Sequence, residues 1–164
     1  MLRMESSADL NEAISIIVHT YSTSVLRFAY SYVKNRSDAE DIAQDVFITY
    51  IQKAPPFDHE MQRKAWIMKV TSNKCKDYLK SSWKKRVTSL PDNLGYLPKE
   101  ESTLISYVYD LDEKYRIPIH LYYFEGYSVE EIARITGNKS ATVASWLFRG
   151  RAMLKTMIGD GFCE

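Results

Sequence analysis

The chain has 164 residues, of which 45% are apolar and 26% charged, and its formal net charge is +1. A chain of this length and composition folds as one ordinary domain or two small ones and is not a disordered tail. It contains no apolar run near the roughly 18 residues of a membrane span, and its N-terminus lacks the pattern of a secretory signal. We therefore expect a cytoplasmic protein with no direct membrane insertion.

The sequence lacks the motifs expected of a metal site, a disulfide framework or an enzyme active site. Cys75 and Cys163 lie far apart without Cys-x-x-Cys spacing, and the three histidines are scattered. Zinc sites and disulfide frameworks need clustered residues at characteristic spacings, so we predict no metal and a structural role for Cys75. Glycine-rich phosphate loops, nucleophile elbows and His-Glu-x-x-His motifs are also absent. We expect no cofactor and no enzymatic activity.

Helical periodicity dominates the first half of the chain. Apolar residues recur at spacings of three and four over residues 10–33 and 39–51, which predicts two amphipathic helices. The second ends before a pair of prolines. Apolar side chains on one side and lysines on the other predict a third helix from about 62 to 84. These helices form a first predicted domain over residues 1–86.

Proline and glycine then interrupt the helical pattern. Residues 87–99 read VTSLPDNLGYLPK, with two prolines and one glycine, and we place a linker there. Residues 100–164 form the second predicted domain, which begins with short helices over about 104–111 and 115–124. Pro118 lacks an N–H group and its ring clashes with the preceding turn, so we expect it to kink the second of these helices.

Two capping boxes are predicted at helix starts. At Ser37 and at Ser128 a serine is followed three residues later by a glutamate, a pair that satisfies two backbone N–H groups of a first turn. The box at Ser128 opens a short helix that stops at Gly137. After a tight turn, a longer helix is predicted from about 140 to 157.

The last two predicted helices have the arrangement of a helix-turn-helix motif, whose second helix can lie in the DNA major groove. A plain helical hairpin has the same pattern, so both interpretations stay open on periodicity alone. Arg149 is the one obvious partner for a base or phosphate on the outward positions of the second helix. Trp146 and Phe148 can instead pack on the neighbouring helix.

The third predicted helix mixes lysines with aromatic rings. Lysines neutralise phosphates and rings stack on unpaired bases, a combination typical of single-stranded DNA binding. The other interpretation is that Trp66 and Tyr78 belong to the core and that the lysines are merely solvated.

Three stretches together resemble RNA polymerase sigma factors of the extracytoplasmic function (ECF) group. They read DAEDIAQDVF over 38–47, AWIMKVTSNKCKDYL over 65–79, and LDEKYRIPIHLYYFEGYSVEEIARITG over 111–137 with TVASWLFRGRAML after it. Their order and spacing match that family over most of the chain. The resemblance implies an all-α fold of two small helical domains, a three-helix region 2-like domain and a helix-turn-helix region 4-like domain, joined by the short linker.

The resemblance also implies contacts for the first domain. Its acidic helix is implied to dock on the clamp helices of the polymerase β′ subunit. The residues for this contact are Asp38, Asp41, Gln44 and Asp45. The third helix is implied to open the minus-ten promoter element and to capture a flipped base. The residues for this role are Trp66, Lys69, Asn73, Lys74, Lys76 and Lys80.

For the second domain, the resemblance implies binding to the duplex minus-thirty-five element, with the acidic first part facing the polymerase β flap. The residues for the DNA contact are Ser140, Thr142, Ser145, Trp146 and Arg149. Family members commonly carry Lys or Arg where this chain has Ala144 and Trp146, so we expect this contact to be weak, altered in sequence preference, or dependent on an activator or on polymerase.

The implied function is a sigma factor that binds RNA polymerase core and directs initiation at specific promoters, with an anti-sigma factor as a further implied partner. Two other classes remain open. A stand-alone helix-turn-helix regulator binds duplex DNA without polymerase but leaves the acidic stretch 38–47 unexplained. A non-initiating decoy holds polymerase or an anti-sigma protein and yields no transcript.

Overall fold

The computed structural model describes residues 7–82 and 102–159, and within these ranges the ordered elements are helical. The elements are α1 (Ser7–Val33), α2 (Arg36–Lys53), α3 (Glu60–Ser82), α4 (Ser102–Tyr109), α5 (Glu113–Ile119), a π-helical turn (His120–Phe124), α6 (Val129–Thr136) and α7 (Ser140–Ile158). The all-α prediction is confirmed. The predicted linker over 87–99 and the last two residues of the third predicted helix lie outside the described residues.

Helices α1, α2 and α3 pack together as an N-terminal unit. In α1 the buried side chains begin at Tyr21 and continue through Val25, Phe28 and Tyr32, which is the spacing of one helical face. The predicted apolar positions before Tyr21 remain exposed or half-buried. Only the second half of α1 therefore contributes fully to the core.

The start of α2 differs from the prediction. Lys34 ends α1 with a positive φ of 54°, so the chain reverses at once and Asn35 becomes the N-cap. The Asn35 side chain accepts a hydrogen bond of 3.0 Å from the backbone N–H of Asp38. Ser37 already lies inside the helix, and the capping box predicted there is wrong because α2 begins earlier than its apolar stripe.

The capping box at Ser128 is confirmed. Its hydroxyl accepts from the backbone N–H of Glu131 at 3.2 Å, and the Glu131 carboxylate accepts from the Ser128 N–H at 2.8 Å. Helix α6 then ends at Gly137, whose φ of 72° is the left-handed conformation that a residue without a Cβ adopts most easily. The turn leads directly into α7, which gives the helix-turn-helix arrangement.

Pro118 lies inside α5, and the helix responds by changing its hydrogen-bond register. The next five residues, His120–Phe124, are π-helical, and the Glu125 N–H bonds to the His120 carbonyl at 3.3 Å. A proline removes one backbone donor, and a wider turn lets the following donors find other carbonyls. The kink predicted at Pro118 stays a prediction, and the structure shows a change from α-helical to π-helical backbone two residues later.

The C-terminal unit, α4 to α7, packs directly on the N-terminal unit. Helix α6 contacts α3, helix α5 contacts α1, and buried residues of both units belong to one apolar cluster. The Phe28 ring stacks on the His120 ring with centroids 6.0 Å apart, and Tyr30 meets Tyr109 edge to face at 5.2 Å. The two predicted domains therefore share one core.

Gly150 lies where α7 packs tightly against α5. A Cβ at this position would lie 3.1 Å from Cγ1 of Ile119 and 3.5 Å from Cβ of Tyr115. We expect Gly150→Leu to lower the free energy of unfolding by about 1 to 3 kcal/mol, because a well-packed site must shift to admit extra methylenes. Urea unfolding followed by circular dichroism measures the change.

The matched control is Ala152→Leu, which adds a similar side chain at an exposed position on the same helix. We expect this change to stay within about 0.5 kcal/mol. Equal stability of the two variants would contradict the close packing of α7 on α5.

Candidate protein and nucleic-acid interfaces

One face of α2 combines carboxylates with exposed apolar side chains. Asp41, Gln44 and Asp45 are exposed, and their spacing of three and four places them together on the helix surface. Ile48 and Ile51 continue the same face and are 50% and 55% exposed. We name these five residues the acidic face of α2. The sequence pattern had assigned Ile51 to the buried stripe, and this is wrong because it lies a turn beyond the last buried position.

Asp38 lies apart from this face. Its carboxylate accepts a hydrogen bond from the hydroxyl of Tyr78 on α3, and the side chain is half-buried. Burial raises the pKa of Tyr78 to about 12, with further contributions from the bond to Asp38 and from the nearby charge of Asp41. Asp38 therefore connects α2 to α3 instead of pointing freely into solvent.

A second contact joins the acidic face of α2 to the candidate DNA-binding residues of α3. Lys74 on α3 donates to the Asp45 carboxylate at 3.1 Å. The resemblance implied polymerase as the partner of Asp45 and promoter DNA as the partner of Lys74, yet here each neutralises the other. The Asp45 side chain is well exposed, and pairs of this kind contribute about 1 kcal/mol or less. Either partner is therefore available to a stronger ligand.

Trp66 belongs to an aromatic cluster at the start of α3. Its ring meets those of Tyr50 and Phe57 at centroid distances of 6.0 Å and 5.9 Å, and it is half-buried. The Arg63 guanidinium lies 5.5 Å above the Phe57 ring. Packing is thus the role that the structure shows for Trp66. Phe57 had given no signal in the sequence because it stands alone beside two prolines.

The remaining candidates on α3 divide between solvent and the C-terminal unit. Asn73 and Lys80 are exposed. Lys69 is also exposed and lies at the rim of a crevice formed with α6 and the following turn. Lys76 donates from its ammonium group to the carbonyl of Thr136 at the end of α6. Burial lowers the pKa of Lys76, and the charge of Glu113 opposes this effect.

Helix α7 presents a mixed outer surface. Its inner side buries Val143, Leu147 and Gly150, as the periodicity predicts. The candidate DNA residues that are exposed to solvent are Ser140, Ser145 and Arg149, whereas Thr142 is half-buried. Phe148 is 71% exposed beside Arg149 and was not among the candidate contacts.

Trp146 faces the junction of the two units. It lines a crevice of about 370 Å³ together with Tyr32, Lys76 and Pro118, and it is half-buried. The outward position predicted from periodicity is therefore wrong, because α7 carries this side chain against neighbouring elements. The alternative that the ring packs on its surroundings is the one observed.

The described residues give little support for a metal site, a reactive cysteine or a membrane-spanning helix. Within residues 7–82 and 102–159, no group of three or more His, Cys, Asp and Glu side chains is placed to hold a metal ion. Cys75 is completely buried, and burial raises the pKa of its thiol, as expected of a structural cysteine. None of the helices described here has the length and apolarity needed to cross a membrane.

Comparison with known proteins decides the family. Residues 17–85 match the sigma-70 region 2 family, and residues 97–154 match the sigma-70 region 4 family. The ECF RNA polymerase sigma factor SigM of Bacillus subtilis is 30% identical over 159 residues, covering 90% of this chain and 96% of SigM. The chain belongs to the ECF sigma factors. The family predicted from the three sequence motifs is confirmed.

Further relatives agree with this assignment. The RNA polymerase sigma factor SigV of Bacillus subtilis is 29% identical over 138 residues, covering 80% of this chain and 82% of SigV. Among solved structures, the sigma factor RpoE in complex with the anti-sigma factor NepR from Bartonella quintana has a TM-score of 0.69 at 20% identity, covering 93% and 98% of the two chains. CnrH in complex with the cytosolic domain of CnrY gives 0.66 at 22% identity, covering 90% and 88%. These structures share the fold.

The family also settles the class of function. Sigma factors are transcription initiation factors and not enzymes, which confirms the predicted absence of catalysis by this chain. The two family matches lie on the N-terminal and C-terminal units, so the acidic face of α2 and helix α3 belong to region 2, and α7 belongs to region 4.

The bond between Asp38 and Tyr78 has a measurable consequence. We expect Tyr78→Phe to lower the free energy of unfolding by about 1 kcal/mol, because the half-buried Asp38 carboxylate loses its hydroxyl donor. Tyr122→Phe removes a hydroxyl from an exposed ring and serves as the control, with no expected change. Urea unfolding of both variants measures the difference, and equal values would show that the bond adds nothing.

Proposed function

We propose that this ECF sigma factor works through three surfaces: the acidic face of α2, the exposed side of α3, and the outer side of α7. The first binds RNA polymerase core, the second holds the melted minus-ten element, and the third binds the minus-thirty-five duplex. The observation that carries the proposal is the exposure of carboxylates and isoleucines together on α2. Since polymerase acts in the bacterial cytoplasm, we place the chain there.

The acidic face of α2 suits a protein partner better than a nucleic acid. Its carboxylates repel phosphate, whereas a basic protein surface is attracted to them and is steered into register. The exposed side chains of Ile48 and Ile51 supply apolar area of the kind found at interface centres. We assign this face to the clamp helices of the β′ subunit, with Asp41 and Gln44 as central contacts. Asp38 stabilises α2 against α3 through its hydrogen bond with Tyr78 and thereby supports the acidic face of α2.

The exposed side of α3 suits single-stranded DNA. Asn73 offers an amide that can bond base edges, and Lys69 and Lys80 lie four residues before it and seven after it, along the same helix face. Lysines bind phosphate through charge, and the half-exposed Trp66 ring provides a platform for stacking. Flipping a base costs a few kcal/mol, which these contacts offset only in the melted state. Binding thereby shifts the promoter towards the open form.

The outer side of α7 carries one guanidinium and two exposed hydroxyl groups. Arg149 can donate two hydrogen bonds to a guanine or a phosphate, and Ser140 and Ser145 can bond phosphate oxygens. These three groups are few hydrogen-bonding partners for a helix that binds duplex DNA. We therefore assign α7 to the minus-thirty-five element with polymerase contributing to affinity, and the acidic start of α6 to the polymerase β flap.

An anti-sigma factor is a further proposed partner. The solved structures of RpoE and CnrH are complexes with an anti-sigma factor and with the cytosolic domain of CnrY, respectively. Among the alternatives, a stand-alone regulator does not account for the region 2 match. A non-initiating decoy is distinguished by transcription from a reconstituted enzyme, since a decoy binds polymerase without producing RNA.

Polymerase binding tests the first surface. We expect Asp41→Lys to weaken the complex with bacterial core RNA polymerase at least about tenfold, or about 1.4 kcal/mol, because a like charge now meets a basic partner surface. Co-elution on a sizing column and a titration with labelled sigma factor measure the loss. The control is Glu12→Lys, the same charge change at an exposed position of α1, with no expected loss. Wild-type protein that does not bind core polymerase would sink the proposal.

Promoter opening tests the second surface. On a promoter selected with the reconstituted enzyme, we expect Asn73→Ala to reduce opening about tenfold while core binding is retained, because the amide acts only on melted DNA. Permanganate reactivity of unpaired thymines reports opening. Asp77→Ala changes an exposed residue one turn later on α3 and is the control. Parallel loss of opening and core binding in Asn73→Ala would refute the assignment.

A further inference from the structure

An open crevice between α3 and the helix-turn-helix is lined by three cations. Lys69 belongs to α3, Arg134 belongs to α6, and Lys139 is the N-cap of α7. The crevice has a volume of about 630 Å³, and all three residues are exposed to solvent. We name this space, with the three cations around it, the basic crevice.

The cations of the basic crevice have no carboxylate partner among the described residues. On α3, Lys64 and Lys74 lie 3.8 Å and 3.1 Å from carboxylates, but within residues 7–82 and 102–159 no such ion pair involves a cation of the crevice. Glu130 is the one carboxylate among the described lining residues. Arg134 meets it through a bond of 3.4 Å from Nε to the backbone carbonyl, not to the side chain. The positive charge of the crevice is therefore not neutralised by direct pairing.

This concentration of charge is local. The whole chain has a formal net charge of only +1, so the basic crevice does not reflect a generally basic surface. Like charges around one concave space raise its positive potential, because the low-dielectric walls focus the field. An anion that enters the space is attracted by all three cations at once. The crevice therefore favours a ligand that carries several negative charges close together.

A contact behind the crevice holds its two walls together. Lys76 lies two turns after Lys69 on the same face of α3, and its ammonium group donates to the carbonyl of Thr136 at the end of α6. A Cβ at the next residue, Gly137, would lie 4.0 Å from the Lys76 Nζ atom. The turn after α6 thus approaches α3 closely, and the basic crevice is already formed in the free chain.

Phosphate groups suit these side chains better than other anions do. A guanidinium donates paired hydrogen bonds to phosphate oxygens, and an ammonium group binds them as a compact charge. The Ser140 hydroxyl also lines the crevice and can donate to a phosphate oxygen. A DNA duplex can touch only the rim, since its major groove alone is about 12 Å wide. A short chain of phosphates is small enough to contact every wall.

We propose that the basic crevice binds a short polyphosphate, such as the phosphate chain of a nucleotide, between Lys69 of α3 and the side chains of Arg134 and Lys139. The ligand contacts both the N-terminal and the C-terminal unit. Binding depends only on the residues that line the crevice. The ligand also occupies Lys69 and Ser140, so its competition with promoter DNA rests on the roles that the proposed function gives to these two residues.

Isothermal titration calorimetry of the full chain with inorganic tripolyphosphate, at low salt and without divalent cations, tests the site. We expect one site per chain. Arg134→Gln and Lys139→Gln should each weaken binding at least about fivefold, because each removes a charged donor to phosphate. Both positions are exposed, so we expect both variants to fold, and circular dichroism checks their helical content.

Two control variants remove the same charge elsewhere. Lys53→Gln lies at the exposed end of α2, and Lys155→Gln lies about 22 Å along α7 from the crevice. We expect each to change the affinity less than about twofold, since only long-range charge is altered. Equal weakening by the control and crevice variants would show a diffuse charge effect and overturn the site. No measurable binding by wild type at about 1 mM tripolyphosphate would also overturn it.

Titrations with ATP and with a single-stranded oligonucleotide identify the source of the phosphate groups. ATP that binds at least as tightly as tripolyphosphate, and is weakened by the same two variants, supports a nucleotide ligand. ATP that binds more weakly than tripolyphosphate supports an inorganic polyphosphate. If neither binds, while the oligonucleotide binds and loses affinity in Arg134→Gln and Lys139→Gln, the crevice belongs to the DNA backbone and the proposal is overturned.

Displacement of the labelled oligonucleotide tests the competition separately. We expect tripolyphosphate to release it from the wild-type chain more effectively than potassium chloride at the same ionic strength, and Lys139→Gln to reduce this difference. Equal release by both salts overturns the competition. These titrations use the free chain, whereas failure of the sigma function appears in the titration with core polymerase, so the two outcomes are distinguishable.

Discussion

The packing of the two units depends on which groups donate hydrogen bonds to the last backbone carbonyls of α1. Helix α1 ends against the C-terminal unit, and its last carbonyls are buried there, so something other than water must bond them. Arg116 does so from α5. The stacking of Phe28 on His120 lies beside this cap, and the contact of α6 with α3 extends it. The buried cation and the apolar surface around it thus help to fix the relative position of region 2 and region 4, together with the bond from Lys76 to Thr136.

Sequence reasoning recovered the elements because their signals are local. Periodicity located the helices, and a serine with a glutamate three residues later marked the start of α6. It failed at Ser37, where the positive φ of Lys34 made Asn35 the cap, because a backbone reversal leaves no periodic trace. The contact between the units was also out of reach. In the sequence Arg116 is one more charged residue of a predicted helix, and only the tertiary fold shows that it is buried.

The sequence predicted which residues belong to the candidate site better than it predicted the contacts that those residues make. Asp41, Gln44 and Asn73 are exposed as the family resemblance implied. Asp38 and Lys74 instead bond to Tyr78 and Asp45, so the face proposed for polymerase and the helix proposed for DNA are joined by direct contacts. Pairings of this kind depend on which faces of α2 and α3 meet, and a pattern read along one helix at a time does not contain that information.

The junction of the two units also accounts for the aromatic residue Trp146 on α7. The family resemblance implied Lys or Arg at the position of Trp146, and in this chain the residue lines the same crevice as the half-buried Lys76. A second cation there would lose water and face a like charge, both of which are unfavourable. A large aromatic ring fills the space at no electrostatic cost. Trp146 is thus better suited to contact between region 2 and region 4 than to a phosphate.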